Sequence, residues 1–188
     1  EEEHYYGYLC RKIKDGLLAF EIKKEKEKLF LALSKGENFG WGVCSKYLNQ
    51  EVSKLYENMV QWDFSEEGEI AKQVDGTVFH ALTGFEFESI SKIRGKRNIG
   101  YTFFENELNE VSVKNAAKYD LVLGGSTWNL EKLREKGIMN SEVLIQGIDP
   151  LVFFPGQPKN DNELFVIFSG GKFELRKGQD LVIKAVGI

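Results

Sequence analysis

An α/β fold, a parallel sheet covered by helices on both faces, is predicted by three observations. Apolar runs of strand length recur along the chain, stretches with helical spacing separate them, and turns rich in glycine or proline punctuate the series. A crossover between parallel strands needs about a dozen residues or more. Gaps of that order recur between residues 29 and 150. We count about six strand–helix units before a linker and one after it, a Rossmann-like arrangement followed by the start of a second.

The elements follow in order. In residues 1–28, Leu9, Ile13, Leu17, Leu18 and Phe20 make one apolar helical face, broken near Gly16. Glu21–Lys28 is a run of mixed charge and reads as a solvated helix surface or linker. Leu29–Ser34 is the first strand, followed by the glycine-rich loop Lys35–Gly42. Val43, Tyr47, Leu48, Val52, Leu55, Tyr56 and Met59 then fall at helical spacing. Val60–Phe64 reads as a short strand, polar Ser65–Val74 as helical, and Thr77–Leu82 as a strand entered through the Asp75-Gly76 turn.

The basic loop Arg94-Gly-Lys-Arg97 leads to a strand at Asn98–Phe103. Glu107–Lys118 reads as a helix and Leu121–Leu123 as a buried strand. Ser126 or Thr127 caps the next helix, which ends at Gly137. Val143–Ile145 is a strand. Gly147–Asn162 holds all three prolines and reads as a linker, and Leu164–Phe168 opens the next strand. The expected organisation is therefore 1–28 as a helical or linker segment, 29–150 as a Rossmann-like domain, 151–163 as an interdomain linker, and 164–188 as the start of a second domain.

Bulk properties narrow the classes of function. Of the 188 residues, 42% are hydrophobic and 13% aromatic, enough for a packed core and against disorder. A net charge of −4 gives no reason to expect broad nucleic-acid binding. The two cysteines, Cys10 and Cys44, and two histidines, His4 and His80, fit no familiar zinc spacing. Sparse cysteine suits a reducing compartment, so a cytoplasmic location is expected. The small Arg94–Arg97 patch leaves a membrane-peripheral one open. No apolar run approaches the ~18 residues of a spanning helix. Glu1–Tyr6 resembles neither a signal peptide nor a transit peptide.

The strongest chemical signal runs from Leu164 to Val186. An apolar run enters Gly170-Gly171, then a basic turn with Lys172, Arg176 and Lys177, then Gly178 and an amphipathic helix. Small residues let an anion approach the backbone, and free N–H groups and the helix dipole favour its charge. Positive side chains at a helix N-terminus oppose the dipole, so their clustering makes better sense with an anion between them. Gly36-x-x-x-Gly40-x-Gly42 matches neither the dinucleotide fingerprint nor a P-loop. It reads as a tight turn or as a ligand-facing loop at the carboxyl edge of the sheet. His80, near a strand end, reads either as a half-buried hydrogen-bonded residue or as a ligand contact. Glu105 reads as an acid suited to a helix N-terminus.

From about Gly100 to Val186 the chain resembles the retaining glycosyltransferases of group 1, or family 4, whose GT-B architecture joins two Rossmann-like domains. Tyr119-Asp-Leu-Val-Leu-Gly-Gly-Ser126-Thr-Trp128 resembles the segment closing the N-terminal domain. Gln146-Gly-Ile-Asp149 with Phe154-Pro155 resembles the interdomain crossing. Phe168-Ser-Gly-Gly-Lys-Phe-Glu-Leu-Arg-Lys-Gly178 resembles the opening of the donor domain. The first third matches more loosely, through the Gly36–Gly42 loop and His80.

The resemblance implies transfer of a sugar from a nucleotide-diphosphate donor to a saccharide, lipid-linked or other small acceptor, with retention, as in carbohydrate biosynthesis. Lys177 matches the family lysine on the donor diphosphate. Lys172 stands where the family usually has an arginine, Arg176 lies beside the matching lysine, and Gly170 and Gly171 form the turn. His80 matches the histidine near the transferred sugar, the catalytic position, while Gly40 and Gly42 belong to the cleft loop. No cofactor and no essential metal are implied, because fixed cations and N–H groups would stabilise the leaving diphosphate. The family's E-x7-E region and nucleoside pocket have no counterpart in the 188 residues, so these residues alone are expected not to turn over without the remainder of a parent polypeptide. The alternatives are a non-catalytic Rossmann-like binding or interaction module, and another nucleotide-dependent sugar enzyme such as an epimerase.

Overall fold

A computed structural model describes residues 27–36, 38–62, 71–84, 86–156 and 166–187. The chain divides into two compact units, with the boundary between Asp149 and Pro150.

The first unit is an α/β layer structure. Strands β1 (Lys28–Ala32), β2 (Met59–Gln61), β4 (Gly76–Ala81), β6 (Arg97–Thr102), β7 (Leu121–Gly124) and β8 (Ser141–Val143) form one sheet in the order β2-β1-β4-β6-β7-β8. Every neighbouring pair is parallel. Two-residue strands β3 (Lys72–Gln73) and β5 (Ile93–Arg94) pair separately, also in parallel. Helices α1 (Gly40–Ser53), α2 (Glu110–Ala116) and α3 (Thr127–Glu135) connect β1 to β2, β6 to β7, and β7 to β8.

The strands are apolar on both faces because both are covered. On one face, Leu29, Leu31, Phe79, Ile99, Tyr101, Leu121 and Leu123 pack with Cys44, Leu48 and Val52 of α1. Those three α1 residues recur at four-residue intervals, the spacing of one helical face. On the other face, Val122 packs with Ala116 of α2 and Leu133 of α3, together with Leu82, Phe87, Phe104 and Tyr119. Phe30, Ala32, Val78 and Ile93 continue that side.

Local signals set the helix ends. Asn109 caps α2 through a reciprocal box with Ser112, their side chains satisfying each other's backbone N–H groups. The Ser126 hydroxyl accepts from the Asn129 N–H at 3.1 Å, which makes Ser126 the cap of α3. Lys132 and Arg134 sit in the last turn, favourable to the dipole. Gly137, with φ 78°, then stops the helix in the left-handed region.

Several expected elements are displaced or replaced. The final strand of the sheet occupies Ser141–Val143 rather than Val143–Ile145, because Leu144 is where the last sheet-like backbone bond, to Gly124, is made. Of the expected helix at Ser65–Val74, residues 63–70 lie outside the described residues, and Lys72–Gln73 is extended in β3. Most of the expected segment 1–28 also lies outside the described residues.

In the second unit, a short 3₁₀ turn at Leu175–Lys177 precedes α4 (Gln179–Val186). Leu164 and Phe165 lie outside the described residues, and Val166–Phe168 has no strand pairing. A β-strand is stabilised only by a partner, and none is present for this segment among the described residues.

Candidate functional site

Strand order places the first candidate region. From β1 the chain goes to β2 on one side and then to β4 on the other, so the order reverses around β1. In open α/β sheets ligands favour the crevice beyond the carboxyl ends of strands at such a switch point. The loop leaving β1 runs through Gly36 to the start of α1 at Gly40.

Its geometry is tight. A Cβ on Gly42 would lie 1.7 Å from the Gly36 carbonyl oxygen, so the loop folds directly against the first turn of the helix. Gly36 has φ 128°, a conformation that side-chain-bearing residues rarely adopt. Gly40, in contrast, faces open space. Phe39 caps α1 with no side-chain hydrogen bond. Thus Gly40 is on an open part of the loop, while Gly42 serves the packing of loop on helix. Trp41 turns into the core against Tyr101 and Phe103, at centroid distances of 5.7 and 4.8 Å.

His80 is in a different setting from the expected ligand-facing one. Its exposure is 0%, and both ring nitrogens are engaged. Nδ1 lies 2.8 Å from Ser89 Oγ, and Nε2 lies 3.1 Å from Asn98 Oδ1. Gly95 fixes the Asn98 amide: its N–H donates to Oδ1 at 3.0 Å, and its carbonyl accepts from Nδ2 at 3.1 Å. An oxygen therefore faces Nε2, and the network assigns the proton to Nε2. Nδ1 accepts from the Ser89 hydroxyl, whose oxygen in turn accepts from the Ser91 N–H at 3.1 Å. The ring also stands edge-on to Tyr119 at 5.6 Å.

A catalytic imidazole must present a nitrogen or a ring edge to its substrate. Buried and doubly bonded, His80 instead ties β4 to the 82–96 connection and to β6. The sugar-facing position that the family resemblance implies for His80 does not fit a sealed ring with both nitrogens bonded. Ser89 and Asn98, nine and eighteen residues away, gave no sign of this in the sequence.

The basic turn occupies the second unit. Gly171, with φ 107°, leaves open space around its α-carbon. Gln179, buried at the start of α4, donates through Nε2 to the Lys172 carbonyl at 3.0 Å, which closes the loop onto the helix. Gly178 adopts φ 67° between the 3₁₀ turn and α4. Lys172, Arg176 and Lys177 are exposed. Arg176 Nε binds Glu174 Oε2 at 2.7 Å, so that cation has an acidic neighbour. Lys172 and Lys177 make no ion pair among the described residues. Gly170 lies against the Phe168 ring, which a Cβ there would strike at 2.4 Å.

The candidate residues thus fall into two groups, Gly40, Gly42 and His80 in the first unit and Gly170, Gly171, Lys172, Arg176 and Lys177 in the second. A separate concavity of about 340 Å3 is lined by Lys28, Phe30, Trp62, Lys72, Val74 and Asp75. Lys72 Nζ lies 5.2 Å from the Trp62 ring centre there, a cation–π contact that the sequence did not signal. Among the described residues no cluster of three His, Cys, Asp or Glu is arranged for a metal, and no helix is long and apolar enough to cross a membrane.

Compared with protein-family models, with curated proteins and with solved structures, the chain matches none.

Proposed function

We propose that this chain contributes the acceptor-side domain and the opening of the donor domain of a retaining glycosyltransferase that uses a nucleotide-diphosphate sugar. The observation that carries the reading is the turn Gly170–Gly178. Its two exposed lysines, Lys172 and Lys177, which make no ion pair among the described residues, flank a loop closed by Gln179, with left-handed glycines at 171 and 178. A diphosphate leaving group gains negative charge in the transition state, and cations held close to it lower the barrier. Lys177 and Lys172 supply the charge, Arg176 assists once it exchanges Glu174 for the ligand, and Gly171 admits the anion to the backbone, while Gly170 makes room for the Phe168 ring. The parallel sheet with a glycine loop at its switch point also supports the reading, as the acceptor-side half of such an enzyme would need this platform. His80, sealed between Ser89 and Asn98, keeps that platform in register.

Isothermal titration with inorganic pyrophosphate and with uridine, guanosine and adenosine diphosphates tests the site. Binding is expected to weaken about tenfold in Lys177→Ala, equivalent to ~1.4 kcal/mol. Equal binding by the wild-type chain and the Lys177→Ala, Lys172→Ala double variant would remove the diphosphate assignment.

A further inference from the structure

The stretch after β8 is held in an unusual way. The last backbone bond of sheet type is the Leu144 N–H to the Gly124 carbonyl, at 2.9 Å. Residues 144–149 then run without helix or strand to the boundary of the unit at Asp149. Side chains take over where the ladder stops. Tyr101, buried in β6, donates its hydroxyl to the Leu144 carbonyl at 2.7 Å. Tyr47 on α1 donates its hydroxyl to Asp149 Oδ2 at 2.9 Å. Between them the Gln146 side chain hydrogen-bonds the Cys44 thiol, one helical turn before Tyr47. Immediately beyond, Leu151, Val152, Phe153 and Phe154 are all exposed.

We propose that residues 144–149 are a strap pinned at both ends, by Tyr101 on Leu144 and by Tyr47 on Asp149, that fixes where the chain leaves the sheet domain. Of the two pins, the one at Tyr47 is able to release. Tyr101 is sealed in the core, and its bond cannot break without opening the sheet. Tyr47 and Asp149 are partly exposed, so water can replace either partner.

Limited proteolysis of the whole chain with a broad-specificity protease, with cut sites mapped by mass spectrometry, tests this. In the wild type, early cuts are expected at 150–156 and none at 145–149. Tyr47→Phe is expected to open 145–149 to cleavage about fivefold faster, the effect of one lost hydrogen bond. Asp149→Asn retains an oxygen acceptor and is expected to restore the wild-type map, whereas Asp149→Ala is expected to copy Tyr47→Phe. Unchanged cutting in both Tyr47→Phe and Asp149→Ala overturns the proposal, as does early cutting of the wild type within 145–149. Should Tyr47→Phe lower the melting temperature and expose the whole sheet domain, Asp149→Ala decides by the same map.

Discussion

The two glycine-rich turns of this chain, 36–42 and 170–178, begin from similar sequence and end in opposite environments. Each leads into a helix and holds a glycine with positive φ, Gly36 in one and Gly171 in the other. In the first, the loop closes on α1 so tightly that Gly42 has no room for a methyl group beside the Gly36 carbonyl. In the second, Gly171 has open space around it and the neighbouring lysines face water. Gly42 in the first turn is there for packing; Gly171 in the second sets a backbone conformation and leaves open space beside it. Composition alone does not separate these uses, because both require the same absent side chain.

The largest expected effect breaks the first turn. Gly→Ala inside a helix ordinarily stabilises by up to about 1 kcal/mol. Gly42→Ala is expected to do the reverse, lowering stability by more than about 3 kcal/mol in urea unfolding, because its neighbour is backbone and cannot swing aside. A stabilised Gly42→Ala protein would show that loop and helix are not in contact.

His80→Ala is expected to lower stability by about 3 kcal/mol, through an imidazole-sized void and the lost partners of Ser89 and Asn98. Thermal or urea unfolding checks this. A group that served a ligand alone would leave the unfolding midpoint in place.

Alkaline pH sharpens the contrast next. Burial pushes the Cys44 thiol, beneath the first turn, up to about 11 from its ordinary value near 9, the Gln146 contact pulling it back only in part. Burial raises the Tyr101 phenol in the same direction. The folded state therefore holds these protons more tightly than the unfolded chain does. Their contribution is complete below the unfolded values and is lost as pH rises through the folded ones. For Cys44 that window is pH 9 to about 11, and its share is at most about 3 kcal/mol. Cys44→Ala is expected to flatten the decline of unfolding free energy across that window, and an unchanged slope would refute it.

The smallest expected effect belongs to the second turn. Lys177→Ala is expected to keep the melting temperature within about 2 °C while weakening pyrophosphate binding. A large loss of stability would mean that Lys177 supports the fold of its unit rather than an open anion site.

Much of the first unit was legible because its strands are buried on both faces. Continuous apolar runs such as Leu29–Leu33 and Leu121–Leu123 announce themselves, and Ser126 and Gly137 mark a helix start and stop through local chemistry. Boundaries still moved. The run predicted to begin at Val143 pairs from Ser141, because Asn140 and Gly124 fix the ladder and not hydropathy. The connection 82–96 carried no periodic signal, and its order comes from contacts made by side chains and backbone groups it could not advertise: Ser89 on His80, Gly95 on Asn98, and Arg94 over the Tyr119 ring. Of the candidate site, the basic turn was visible as a cluster of charge and glycine. A hydrogen-bonded setting was one of the two readings of His80, but its complete sealing was not legible, since alternation places a residue on a face without saying what covers it.

By itself the sequence determined the alternation of strands and helices, the parallel sheet that follows from it, and the basic glycine turn before α4. These rest on interactions between residues close in the chain, or on hydrophobic period. Only the tertiary structure decided strand order, the sealing of His80, the pressing of Gly42 against Gly36, and the pinning of Asp149 by Tyr47 across 102 residues of chain. Each of those depends on which distant groups meet, and that is set by the cooperative packing of the whole sheet rather than by any local preference.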